Sequence, residues 1–186
     1  RTPPNLTYGF YGVAFGNGNG GFVSPTGLAF LSSTPFQPTF ADVNNDGKMD
    51  IVTNDVPGTS GNNGVFLGNG NGTFGALIQS SQTNFQRETV LADYDGDGIL
   101  DMVAHNTSDV LFFYHGVGNG SFSSARSLVA DPAGHRNLIA GDVNGDGHVD
   151  LAVPRSGAFF GDAAAVQLFL GDGDGGFTAA PSPTLG

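Results

Sequence analysis

Residues 141–153 read GDVNGDGHVDLAV, and close copies stand at 41–53 (ADVNNDGKMDIVT) and 92–104 (ADYDGDGILDMVA). In each, Asp or Asn recurs at alternate positions, Gly takes the sixth place, a last Asp takes the ninth, and a short apolar run follows. The loops start at Asp42, Asp93 and Asp142, 51 and 49 residues apart. A second motif alternates with the first: Gly-x-Gly-[Asn/Asp]-Gly-x-Phe at 16–22, 68–74, 116–122 and 171–177, its phenylalanines 52, 48 and 55 residues apart. A period near 50 without helical periodicity marks an all-β repeat protein.

Each period parses into four short strands. PTFA, TVLA and LIAG run into the Asp loops, and DIVTN, DMVAH and DLAVP leave them. After a variable connection, GVFLG, LFFYHG or VQLFLG leads into the Gly-rich turn, and a last strand is expected to begin at Phe22, Phe74, Phe122 or Phe177. Gly and Asn supply the positive-φ positions that tight hairpins demand. Four antiparallel strands per unit of about 50 residues predict blades of a β-propeller. The expected units are a partial blade at 1–33 and blades at 34–84, 85–133 and 134–186. The interior strands are short apolar runs, as expected where neighbouring blades cover both faces. A β-helix or solenoid is the alternative, but calcium-binding β-rolls repeat every nine residues or so, and this chain repeats about every 50.

The chain of 186 residues is long enough for a substantial core. It has no Cys, which excludes disulfides and any thiolate site. No apolar run is long enough to span a membrane as a helix. Net charge is −11, from 17 acids against 6 basic residues, so the basic footprint of a nucleic-acid binder is missing. Ten of the acids fall inside the three nine-residue loops. That clustering costs self-repulsion unless cations offset it, and it points to bound metal.

In such a loop, side chains at positions 1, 3 and 5 converge, a carbonyl at 7 adds an oxygen, and Gly at 6 permits the sharp bend. Calcium takes six to eight oxygen ligands at a point of this kind. An EF-hand would close with Glu at position 12, where this chain has Thr53, Ala104 and Val153; here the closing ligand is expected to be Asp50, Asp101 or Asp150. Asx turns alone explain one or two of these residues. They do not require three copies of the whole pattern. The Gly-rich turns lack the Lys-Ser/Thr of a phosphate cradle and are read as hairpins. Asp172 and Asp174 have too few ligands around them for a site of their own.

These segments, with GVFLGNGNGTF and VQLFLGDGDGGF, resemble FG-GAP/VCBS-type repeats, the blades of integrin α-subunit heads and of many secreted proteins. The likeness covers essentially the whole chain. It implies a calcium-binding propeller whose ligands are Asp42, Asn44, Asp46 and Asp50; Asp93, Asp95, Asp97 and Asp101; and Asp142, Asn144, Asp146 and Asp150. Lys48, Ile99 and His148 would contribute backbone carbonyls. About three Ca²⁺ are expected. The Phe-Gly and Gly-Ala-Pro signatures are replaced by VPGTSG (56–61) and PRSG (154–157), so no integrin-type partner surface is implied. Propellers of this family usually have seven blades, and about 3.5 are legible here. The expectation is part of a seven-bladed ring, completed by the remainder of a longer chain or by homo-oligomerisation.

The function expected is a secreted or cell-surface, non-catalytic module for adhesion, surface attachment or assembly, with its protein or glycan ligand unspecified. A carbohydrate-binding lectin is an alternative. Repeated sugar sites need repeated side chains, yet Pro35-Phe36-Gln37, Gln86-Arg87-Glu88 and His135-Arg136-Asn137 before the loops match poorly, and no Trp is present for stacking. Asn5, Asn71, Asn106 and Asn119 stand in glycosylation acceptor patterns. An accessory propeller of a secreted enzyme is the third reading. No hydrolase or metalloprotease motif stands clear of the loops. His148 is expected to point to solvent, and His105 and His115 to be structural.

Overall fold

The computed structural model of the chain describes residues 9–23, 26–32, 38–53, 63–79, 86–106, 110–123, 125–130, 138–155 and 165–181. Among them every regular element is a strand. β1 (Gly9–Val13) pairs antiparallel with β2 (Thr26–Ser32). The first four-stranded sheet holds β3 (Thr39–Ala41), β4 (Asp50–Thr53), β5 (Gly64–Gly68) and β6 (Phe74–Gln79). The second holds β7 (Gln86–Ala92), β8 (Asp101–Asn106), β9 (Val110–Tyr114) and β10 (Arg126–Ala130). The third holds β11 (Ile139–Gly141), β12 (Asp150–Arg155), β13 (Ala165–Gly171) and β14 (Phe177–Ala179). Each sheet is an antiparallel meander in chain order. The Asp loop joins its first two strands and the Gly-rich turn its last two. The pair β1–β2, joined through the turn at 16–22, matches the second half of such a sheet.

The chain is therefore all-β, and its described residues form three whole propeller-type blades and one half blade, which do not close into a ring. The first strands β3, β7 and β11 of successive sheets lie beside one another. The connections at 54–62 and 156–164 lie outside the described residues, as do Asn5, residues 35–37 and residues 135–137.

Two last strands begin later than the sequence predicts. Phe74 and Phe177 open β6 and β14 as expected, but Phe22 and Phe122 form only isolated bridges to Gly16 and Gly116. In the second case the Ser123 hydroxyl accepts the His115 amide at 3.1 Å, taking the place of a backbone carbonyl.

The blades pack face to face through three apolar clusters. Val13 of the half blade meets Ile51 and Phe66. Val43, Val52 and Val65 of the first full blade meet Met102, Ala104 and Tyr114 of the second. Tyr94, Val103, Leu111 and Phe113 of the second meet Leu151, Val153 and Phe169 of the third. The residue at position 2 of each Asp loop is the key to this stacking. Val43 is 3% exposed and Tyr94 2%, each sealed under the following blade. Tyr94 packs edge-on against Phe113 and Phe177, with centroids 6.2 and 5.4 Å away. Val143, at the same repeat position in the third blade, is 53% exposed, with Ile139 and Val166 also open.

One repeat position thus carries two energetic roles. Tyr94→Ala is expected to cost about 3–5 kcal/mol in urea unfolding, as for other buried aromatic truncations. Val143→Ala should change stability by no more than about 0.5 kcal/mol. Equal costs would show that blade stacking does not bury position 2 selectively.

Candidate metal centres

Each Asp loop closes on itself through its own amides. The carboxylate at position 1 takes two backbone N–H groups: Asp42 from Asp46 and Gly47 at 3.1 and 2.7 Å, Asp93 from Gly96 and Gly98 at 2.8 and 2.9 Å, and Asp142 from Gly145 and Gly147 at 2.6 and 2.9 Å. The position-3 side chains Asn44, Asp95 and Asn144 accept the amide two residues on, at 3.2, 3.2 and 2.8 Å. Asp46, Asp97 and Asp146 do the same for Lys48, Ile99 and His148, at 2.9, 2.8 and 2.9 Å. This winding needs positive φ twice. Gly98 at position 6 has φ 85°, and position 4 joins it with Gly96 at 76°. In the first loop Asn45 fills position 4 at φ 56°, a conformation Asn tolerates better than most residues.

The ninth-position carboxylates do something the sequence does not announce. Asp50, Asp101 and Asp150 are fully buried. One oxygen accepts the amide of position 2: Val43 at 2.9 Å, Tyr94 at 3.0 Å and Val143 at 2.9 Å. The other accepts the first amide of the Gly-rich turn: Gly68 at 2.8 Å, Gly116 at 2.7 Å and Gly171 at 2.8 Å. One side chain therefore clamps three segments of its blade. The close approach also explains the leading glycine of that turn. A Cβ at Gly68, Gly116 or Gly171 would strike the carbonyl oxygen of Met49, Leu100 or Val149. The last glycine of Gly-x-Gly-x-Gly serves the neighbouring blade: a Cβ at Gly72 would strike the Phe15 ring, at Gly120 Leu67 and Ile78, and at Gly175 the Phe113 ring.

The turns at 16–22, 68–74, 116–122 and 171–177 close as hairpins, by bonds such as Asn69 N–H to the Thr73 carbonyl at 2.9 Å. Asp172 accepts the amides of Asp174 and Gly176 at 2.9 and 2.8 Å, a turn-shaping role. Loops and turns share one rim. Asn45 donates to the Gly98 carbonyl at 2.7 Å, tying the first Asp loop to the second, and Gly175 donates to the Tyr94 carbonyl at 3.2 Å.

Electrostatics differ among the loops. Burial pushes the Asp101 carboxyl above its ordinary range, and Asp95 adds to the rise; amides from Gly116 and Tyr94 oppose it. Amides from Gly147 and Gly145 hold Asp142 below that range. Asp46 is lowered first by its bond to Lys48, whose Nζ lies 3.0 Å away. Among the described residues no Lys or Arg pairs with Asp50, Asp101 or Asp150.

In the second loop, carboxylate oxygens of Asp93, Asp95 and Asp101 lie within 4.8 Å of one another. Hard oxygen donors converging on a buried carboxylate fit a divalent cation. The sequence reading missed one participant. His115, expected to be structural, places Nδ1 2.8 Å from Asp95 and 3.3 Å from Asp101, with Nε2 3.9 Å from Asp97. A break in the repeat was its signal, since Leu67 and Leu170 hold the equivalent place before the Gly-rich turn. His148 is exposed, with its ring beside Gly173, and His105 is buried beside its cross-strand partner Glu88.

Antiparallel four-stranded blades, each carrying an acidic loop between its first two strands, define a propeller-type repeat protein with candidate cation sites. The FG-GAP-like repeat family profile matches residues 7–53 and 93–153, more than half of the chain, and the chain belongs to that family. No curated protein matches it.

The clamp can be separated from any metal. Asp50→Ala strands two buried amides, each costing about 1–3 kcal/mol. It should lower stability by more than about 2 kcal/mol even in EDTA, measured by urea unfolding. A loss confined to calcium-containing buffer would mean that Asp50 acts only as a ligand.

Proposed function

We infer that this chain is a calcium-stabilised propeller module of a secreted or cell-surface protein, non-catalytic and used for adhesion or assembly. The observation that carries this reading is three fully buried carboxylates, each at the base of an acidic loop and without a Lys or Arg partner among the described residues. Three Ca²⁺ bring six positive charges, which would take the net charge from −11 to about −5. The proposed ligands are the side chains of Asp42, Asn44, Asp46 and Asp50, of Asp93, Asp95, Asp97 and Asp101, and of Asp142, Asn144, Asp146 and Asp150, with the carbonyls of Lys48, Ile99 and His148. Extracellular calcium is abundant enough to fill even weak sites of this kind.

The ions act on stability. A cation bound only by the folded chain, at a hundred times its Kd, adds about 2.7 kcal/mol per site. Each would hold the loop that positions Val43, Tyr94 or Val143 for the next blade. Open Ile139, Val143 and Val166 leave the third blade with an apolar face of the same kind. Its proposed occupant is one more blade, from a second copy or from further chain. No helix among the described residues is long and apolar enough to cross a membrane.

Thermal melting in millimolar calcium should lie well above melting in EDTA, and Asp146→Ala should shrink that difference by about a third, as expected for the loss of one site of three. Identical melting curves with and without calcium would sink the metal reading. Light scattering should show a calcium-dependent species larger than one chain. A calcium-independent monomer would leave only further chain as the occupant of the open face.

A further inference from the structure

We propose that the second Asp loop, alone of the three, is a mixed nitrogen–oxygen site that takes a first-row transition ion such as Zn²⁺ or Co²⁺ in preference to the Ca²⁺ it can also hold, with the His115 imidazole as a ligand beside Asp95 and Asp97. This rests on the reading of the Asp loops as cation sites and makes one of them chemically distinct. His115 follows β9 and precedes Gly116, whose amide is held by the buried Asp101 carboxylate at 2.7 Å. That anchor fixes the backbone under the imidazole. The ring then stands over the loop, with Nδ1 2.8 Å from an Asp95 oxygen and Nε2 3.9 Å from an Asp97 oxygen, and a single ion would take one of these two nitrogens. One ligand atom from each of these three residues falls within a 4.8 Å span. Donors bonded at about 2.1 Å to one ion sit about 3.0 Å apart at right angles, about 3.4 Å at the tetrahedral angle and about 4.2 Å when opposite. With one ring nitrogen and one oxygen from each aspartate already inside the 4.8 Å span, small adjustments bring the three donors onto one ion.

The other two loops are internal controls. Leu67 and Leu170 occupy the place of His115 and offer no donor. The second loop alone has a carboxylate at position 3, Asp95, where the others have Asn44 and Asn144. In the first loop, Lys48 already sits on Asp46, the counterpart of Asp97, at 3.0 Å. Imidazole favours zinc, cobalt, nickel and copper, whereas calcium prefers oxygen donors throughout. His115 is also well exposed, 43% of its side chain facing solvent, so an ion can reach it without opening the fold. A ring that served only as a hydrogen-bond partner for the carboxylates would give the loop no preference among divalent ions.

The test uses the whole chain, stripped of metal, at pH 7.5 in a non-coordinating buffer. Zn²⁺ and Co²⁺ are titrated calorimetrically and by cobalt absorption in the visible, and Ca²⁺ is titrated separately. One equivalent of Zn²⁺ or Co²⁺ should bind, and His115→Leu, which installs the sister blades' residue, should weaken it at least tenfold. Calcium binding by the first and third loops should survive in that variant, which shows that the blades remain folded. His148→Ala should leave the transition-ion site unchanged. Zn²⁺ affinity unaffected by His115→Leu, or lost on His148→Ala instead, would overturn the proposal. Calcium binding without any tight Zn²⁺ or Co²⁺ site would also overturn it, while leaving the calcium reading intact. Failure to bind calcium at all would instead strike the underlying reading.

Discussion

The structure depends on a buried aspartate that holds its blade together at one point. Asp50, Asp101 and Asp150 each receive one amide from the start of the Asp loop and one from the start of the Gly-rich turn. Placing a carboxylate inside a protein is costly, and two short amide bonds offset part of that cost. The same two bonds bring loop and turn close enough that only glycine fits where the backbones meet. The motif that looks like a metal loop and the motif that looks like a hairpin are therefore one structural unit.

That unit also sets how blades stack. The amide of position 2 is pinned to the clamp, so its side chain is fixed in direction. Val43 and Tyr94 are aimed into the following blade and become its contact residues. The third glycine of the turn reciprocates by admitting a side chain from the preceding blade. A polar interaction inside one blade thereby dictates an apolar interface between two. A bound cation would reinforce the same element, because its ligands lie within the loop that the clamp organises.

Repetition hides differences as well as revealing a pattern. The three loops share a backbone course, yet their surroundings are unequal. Lys48 sits on the first and His115 on the second, while the third has neither a Lys nor an Arg in contact among the described residues. These inequalities are single departures from the repeat and carry no motif of their own. His115 was readable only as the place where Leu67 and Leu170 lose their counterpart. Its contact with Asp95 spans 20 residues of chain, and only strand pairing in the folded blade brings the two together.

Fold class, period, strand order and the positions of loops and turns were all legible in the sequence, because each rests on local chemistry. Asp and Asn at alternate places wind a loop, Gly permits positive φ, and apolar runs between them pair as strands. The late start of β10 was not legible as such, since a bridge and a strand there differ by whether a serine hydroxyl takes the place of a backbone carbonyl. The sequence by itself determined that the chain is a repeat of four-stranded units with acidic loops. Tertiary structure alone decided that the ninth aspartate clamps two distant amides, that position 2 is buried in two blades and open in the third, and that a histidine outside the motif faces the second loop. Those outcomes depend on which segments meet across the sheet and between sheets, and such meetings are set by packing rather than by spacing along the chain.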